Sequence, residues 1–457
     1  MIRSSEHRRP DETIRRAGSR RAASPRQHLA LRIAAVALAL CTLAGAAAAQ
    51  DPLAGTWQGH WYKAGDSMAI TLRVQRDTQT GRYSATFDSD RLRVSGIPFS
   101  DVQVQGCCDV TMTLRGDRTT STFTGAVHGD SFSGVLREGE SEGRFAFSRG
   151  ADPAAALEER EITFANGDVT LAGSLILPRT GSALPAVVFL HGSGAEGRWA
   201  SRFLATQLAS HGVAALIFDK RGVGRSTGDW RQASIDDLAS DGAAAVARLL
   251  QEPRIDRRRI GIHGHSQGGT LAPLVAVRSG QVAFVIGSAA AGVPTDSTEI
   301  YSILSSVYPQ ARTAADSASA LEYVSELVAV AYHGLPRSRL DPLVAALRDR
   351  PWFFAPPPPD AAYWTFSAAF GRYRPLEWWS RVRVPVLLLY GAEDQRVPAA
   401  ESAARIVTAL RGAGNGDVTV RIFPGADHTF RLPPGPSGWP DTAPGYVSTL
   451  LDWLARR

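Results

Sequence analysis

At 457 residues the chain is too long for one ordinary domain, so two or three units are expected. A hydrophobic content of 44% fits a globular protein with sizeable cores. The formal charge of +6 suggests an acidic partner, but residues 1–49 hold nine arginines against three acids and account for all of it. The remainder is neutral, which removes the basis for a nucleic-acid surface.

The Arg-rich start runs into an apolar stretch from Ile33 to about Gly45 and then into Ala46-Ala47-Ala48-Ala49-Gln50. A basic region, a short apolar core and a small-residue site predict a secretory signal peptide over residues 1–49 and export to the periplasm or beyond. The run is too short to span a bilayer comfortably. Arg20-Arg21 hints at twin-arginine export, and Cys41 follows Leu40 rather than the small residue of a lipoprotein site. Cleavage near Ala49 would leave Cys107 and Cys108, whose Cα atoms sit about 3.8 Å apart across a trans peptide, below the usual disulfide range. A bond between them would be strained, so no disulfide staple is expected.

Residues 50–150 read as all-β. Met68, Ile70, Leu72 and Val74 alternate with polar residues, as do Tyr83, Ala85 and Phe87, then Val110, Met112 and Leu114. Turn signals about ten residues apart predict a small barrel or sandwich. The opening Ala54-Gly55-Thr56-Trp57-Gln58-Gly59 resembles the start of lipocalin-like barrels. Residues 150–160 read as a linker.

From 161 the pattern changes. Asn166-Gly167 marks a hairpin, and apolar runs follow at Ala186–Leu190, Val213–Phe218, Ile260–Ile262, Val282–Ile286, Val386–Tyr390 and Val418–Phe423. Fully apolar strands alternating with helices predict an α/β unit over 161–457, its mostly parallel sheet covered on both faces. Between about 292 and 383 the alternation stops. Amphipathic stretches at Ser317–Tyr332 and Leu340–Arg348, four prolines from Pro356 and a run of aromatics predict a helical cap inserted over the site. Among those aromatics Trp364 and Phe366 are the candidates for an acyl pocket, with core packing the competing role.

Gly264-His265-Ser266-Gln267-Gly268-Gly269 directly follows one apolar strand and precedes a helical stretch. Small residues around the serine allow the sharp strand-to-helix turn that exposes a nucleophilic hydroxyl. A serine needs a base, and on such a scaffold the acid and the histidine come from later strand ends. Val386–Tyr390 leads to Glu393-Asp394 and Val418–Phe423 leads to Asp427-His428. His428 is the expected base and Asp394 its orienting carboxylate, with Glu393 the main rival and Asp427 a lesser one. His191-Gly192-Ser193-Gly194 fits an oxyanion loop, the Ser193 amide (or that of Gly194) pairing with the Gln267 amide. The same loop reads Gly192-x-Gly194-x-x-Gly197 with Asp219 ending the next strand, a dinucleotide fingerprint. That reading leaves the serine turn, Asp394 and His428 as three coincidences. His263 and His265 share a strand face, but no third metal ligand lies at usable spacing.

Together these residues resemble the α/β-hydrolase superfamily over about 161–457, most closely bacterial carboxylesterases and serine aminopeptidase-like hydrolases with a helical cap. Asp219-Lys220-Arg221-Gly222-Val223-Gly224-Arg225-Ser226 looks like the loop those proteins carry after the fourth strand. The resemblance implies hydrolysis through an acyl-enzyme with no cofactor and no metal. A small-molecule carboxylic ester is the favoured substrate, because the sequence shows no charged pocket suited to a peptide terminus. A peptidase of the same fold is the alternative, and a non-catalytic periplasmic binding protein on a hydrolase body is the alternative of another class.

Overall fold

The computed structural model describes residues 51–116 and 119–457. The expected signal peptide, with Cys41, lies outside the described residues. Residues 53–457 form one compact unit.

The first part is a single antiparallel sheet of nine strands, β1 (Gly55–Lys63), β2 (Asp66–Arg76), β3 (Tyr83–Ser89), β4 (Val94–Pro98), β5 (Asp101–Gln105), β6 (Asp109–Arg115), β7 (Thr120–His128), β8 (Ser131–Glu138) and β9 (Ser141–Arg149). Their order, β4-β3-β2-β1-β9-β8-β7-β6-β5, makes a curled meander rather than a two-sheet sandwich. Alternation decides which face is inside: Trp57, Trp61, Ile70, Leu72, Phe123, Phe132 and Phe145 are all buried. Cys107 and Cys108 are joined, against the expectation from sequence. The bond links neighbours in the β5–β6 turn, so it closes a minimal loop and braces nothing distant.

The predicted linker is shorter than expected. A turn of 3₁₀ helix covers Pro153–Ala156, capped by the Asp152 side chain, and β10 (Leu157–Asn166) begins at once. β10 pairs with β11 (Val169–Pro178) across the Asn166-Gly167 turn. Then come β12 (Leu184–Leu190), α1 (Trp199–Ser210), β13 (Ala214–Phe218), α2 (Ile235–Leu249), β14 (Ile255–His265), α3 (Gln267–Ser279) and β15 (Phe284–Ser288). The cap follows as α4 (Thr295–Val307), α5 (Ala314–His333), α6 (Asp341–Leu347), α7 (Ala362–Phe370) and α8 (Pro375–Trp379). The chain returns to the sheet through β16 (Val386–Gly391), α9 (Ala399–Gly412) and β17 (Val418–Phe423), then a ribbon of β18 (Arg431–Leu432) and β19 (Asp441–Thr442), and α10 (Tyr446–Leu454). The eight-stranded sheet runs β10-β11-β13-β12-β14-β15-β16-β17. It is parallel from β13 to β17, with β10 and β11 antiparallel at one edge.

Sequence explains why the central strands hold. β13, β15 and β16 are buried at every residue, because helices cover both faces of the sheet. α2 starts on a capping box in which Ser234 and Asp237 satisfy each other's backbone N–H groups. Among the described residues no helix is long and apolar enough to cross a membrane. Most of the cap aromatics pack: Trp352 and Phe353 against Tyr323, and Phe370, Tyr373 and Trp379 against the eight-stranded sheet and its helices.

Candidate active site

Ser266 sits between β14 and α3 with φ +57° and ψ −115°, a left-handed conformation that costs an L-residue. Glycines pay for nothing here by flexibility; they make room. A Cβ on Gly264 would lie 2.2 Å from the Gly268 carbonyl, and one on Gly268 would lie 2.5 Å from the Leu190 carbonyl oxygen. The Ser266 N–H donates to the Ser288 carbonyl at 2.9 Å, which ties the turn to the neighbouring strand. The strand, the glycines and the helix together hold the hydroxyl at the sheet's C-terminal edge, over the N-terminus of α3.

Two later strand ends complete the arrangement. His428 Nδ1 lies 2.8 Å and 2.9 Å from the two carboxylate oxygens of Asp394. Asp394 is buried, and its Oδ1 also accepts the backbone N–H groups of Arg396 at 2.7 Å and Val397 at 2.9 Å. Three donors on one carboxylate fix its direction. Glu393 is exposed, and the Asp427 carboxylate is occupied by the N–H groups of Thr429 and Arg431. Of the three acids considered from sequence, Asp394 is therefore the one the fold brings to His428. Gly391 makes this approach possible, since a Cβ there would lie 2.2 Å from the Asp427 carbonyl oxygen. Tyr301 of α4 adds a contact no motif announced, its hydroxyl donating to the Asp394 carbonyl at 2.8 Å.

Ser193, Ser266, Gln267 and His428 line one cavity of about 540 Å³. Among the described residues the Ser193 and Gln267 N–H groups have no acceptor. Lys220, which sequence reading placed in a family loop without a role, braces them. Its ammonium donates to the carbonyls of Gly192 and Gly194 (2.9 Å) and to Gln267 Oε1 (3.1 Å), joining the glycine loop to the serine turn. Burial pushes Lys220 down to about 8, against the pull of Glu196. The rest of that loop is bracing too. Asp219 accepts from Arg198 and from the Arg225 N–H, and Arg221 pairs with buried Asp241 at 2.7 Å. Asp219 is thus fully engaged within the protein, where the dinucleotide reading needs it free for a ribose.

The cap closes the other side of the cavity through Thr298, Glu299, Tyr332, Tyr363, Phe366 and Phe370. Phe366 is placed as the sequence suggested. Trp364 is not: it is absent from the cavity lining, donates its indole N–H to the Pro358 carbonyl at 2.8 Å and lies under the Arg337 guanidinium. The reason is helical geometry, since residues two apart on α7 point to different sides. Glu299 belongs to no motif and enters the site only through the fold of the cap. Burial pushes its carboxyl up, opposed by the Arg396 charge and a hydrogen bond with Tyr332.

His263 and His265 do not converge on a common ligand. His263 Nε2 meets Ser288 Oγ at 3.0 Å, and His265 Nε2 meets the His428 carbonyl at 3.0 Å. Burial holds both imidazoles low, at about 3 and about 4, and His191 at about 4. Their folded values lie below the ordinary 6.5, so the unfolded chain takes up these protons first. Stability is full above that value and falls as pH drops toward 4. Thermal melts should give a lower Tm at about pH 5.5 than at about pH 7.5, still above the carboxylate range. Equal Tm values would show that these histidines are not buried neutral.

The sequence profile described as serine aminopeptidase, S33, matches residues 181–432. The quorum-quenching protein AidA of Acinetobacter baumannii is 33% identical over 127 residues, covering 28% of this chain and 42% of that protein. Esterase EstD of Thermotoga maritima is 31% identical over 131 residues, covering 27% of this chain and 30% of that one. The matched stretch spans less than half the length of either relative. Among solved structures, the Pyrococcus furiosus esterase Pf2001 aligns at 19% identity and a TM-score of 0.43, covering 67% of this chain and 92% of that one.

Proposed function

We propose that this chain, which belongs to the serine aminopeptidase S33 family of α/β hydrolases, cleaves carboxylic esters through an acyl-enzyme formed on Ser266. The observation that carries the reading is the meeting of Ser266, the His428–Asp394 pair and two unengaged amides around one cavity. In the first step Ser266 Oγ attacks the ester carbonyl carbon while His428 Nε2 takes the hydroxyl proton. Asp394 holds the Nδ1–H tautomer and stabilises the imidazolium. The Ser193 and Gln267 N–H groups receive the developing oxyanion, each such donor contributing about 3 kcal/mol. The ester C–O bond then breaks as His428 passes its proton to the leaving alkoxide. His428 next takes a proton from water while the water oxygen attacks the acyl carbon, and it returns that proton to Ser266 Oγ as the acyl–Oγ bond breaks and the acid leaves. The Arg-rich start with its apolar run and Ala46–Ala49 supports export.

Ester over peptide is supported by the aromatic side of the cavity and by the name of one relative as an esterase. Glu299 favours a second reading. A carboxylate in the substrate cavity suits the ammonium of an aminoacyl substrate, although Arg396 in the same wall offsets its charge. A panel of p-nitrophenyl esters and aminoacyl p-nitroanilides decides between them. The ester reading expects kcat/KM on the best ester to exceed that on every anilide; the reverse ranking would make the chain an aminopeptidase.

Acyl preference follows from Phe366. Apolar burial contributes about 0.8 kcal/mol per methylene, so kcat/KM should rise over the first few acyl carbons. Phe366→Ala should shift that optimum and spare the rate on acetyl esters, whereas Trp364→Ala should lower Tm and leave the preference alone. Equal losses on every chain length for Phe366→Ala would mean that this ring only packs.

A further inference from the structure

The histidine loop is also held by the N-terminal sheet. Residues 429–442, immediately after His428, run along the N-terminal sheet. Trp439 is 7% exposed and packs in the core of that sheet with Trp57, Trp61 and Phe87. Lys63 and Arg91 face its ring at 5.0 Å and 5.9 Å. Asp66 of β2 accepts both Arg91 (2.8 Å) and Ser437 Oγ (2.7 Å), and these bonds hold its carboxyl well below the usual carboxylate range. Arg91 also pairs with Asp441 at 2.6 Å, Thr442 Oγ1 donates to the Arg91 carbonyl at 3.1 Å, and Arg431 donates to the Leu92 carbonyl at 3.2 Å.

The contact nearest the chemistry is Arg93, between β3 and β4. Its guanidinium donates to the carbonyl of Thr429, the residue after His428, and covers the Tyr446 ring at 5.2 Å. Tyr446 in turn stacks on Phe430 at 4.2 Å. Two costs accompany this placement. Arg93 adopts φ +53°, which an L-residue avoids, and burial beside Arg431 lowers the basicity of its guanidinium. A strained, half-buried arginine whose donor ends on the histidine loop is poorly explained as surface charge.

We infer that the N-terminal β sheet is part of the active site's architecture, with Arg93 as a positioning residue that sets His428 through the Thr429 carbonyl. The inference rests on His428 being the base. From one side the His428 carbonyl is fixed by His265, and from the other the next carbonyl is fixed by Arg93. The imidazole is thereby held between two clamps, while Asp394 sets its rotation. The sheet need not bind a ligand to be required for turnover.

Two variants of the full chain test this. Arg93→Gly removes the guanidinium and relieves the left-handed strain, so the protein should fold at least as readily at that corner. Arg93→Met removes the donor and keeps an apolar stem on Tyr446. Both should lose about 10- to 100-fold in kcat, the scale of a misplaced catalytic group, with KM changed less than about two-fold. Millimolar methylguanidinium should restore part of the kcat lost in Arg93→Gly and leave wild type unaffected. Wild-type kcat in either folded variant, or a loss that only tracks the unfolded fraction and resists rescue, overturns the inference. Ser266→Ala measured alongside separates the failures: if it stays active, the assignment of Ser266 and His428 falls first.

Discussion

Ser266→Ala is expected to lower kcat on the best ester by about 10⁴–10⁶-fold while the protein stays folded. The size follows from what the hydroxyl does, since without it no acyl-enzyme forms and only the amides and the cavity remain. Stability should hardly move. Alanine meets the same φ of +57° that serine already tolerates, and the turn is held by backbone, through the Ser266 N–H to the Ser288 carbonyl. His428→Ala should do comparable damage. Retention of a tenth of wild-type activity by Ser266→Ala would be enough to reject the nucleophile.

The second large effect concerns the carboxylate. Asp394→Asn should cost on the order of 10⁴ in kcat, because an amide can present its N–H to Nδ1 and stabilise the wrong imidazole tautomer. Two backbone donors, from Arg396 and Val397, converge on Oδ1 and would keep the asparagine oxygen there, which leaves the NH₂ end for His428. Glu393→Gln should stay within a few-fold of wild type, for that side chain is exposed. A larger loss in Glu393→Gln than in Asp394→Asn would move the acid to Glu393.

Much of this site was legible because its residues are tied to strand ends. An apolar strand followed by Gly264-x-Ser266-x-Gly268 has few backbone solutions, and the loops that follow β16 and β17 deliver Asp394 and His428 to the same sheet edge. The eight-stranded sheet was readable for the same reason, its central strands being buried and almost wholly apolar. What escaped depends on contacts far apart in sequence. Lys220 and Glu299 acquire meaning only when the glycine loop and the cap are folded against the serine turn. Trp364 and Phe366, two residues apart, looked alike in sequence, and only the docking of their helix separates a packing ring from a cavity ring. The joined Cys107 and Cys108 escaped because the usual spacing rule describes disulfides between distant residues. Trp439 escaped as well. Nothing local marks a tryptophan in a loop as belonging to the core of another sheet, about 290 to 390 residues upstream.

A covalent probe tests the central claim most directly, since it asks for an activated serine without presupposing a substrate. The full chain treated with a fluorophosphonate should gain one adduct per molecule, mapped by peptide mass to the segment carrying Ser266. The His428→Ala variant should label far more slowly. An adduct on another serine, or none from folded protein that also fails on every ester and anilide, would contradict the account and leave a hydrolase body that binds without catalysing.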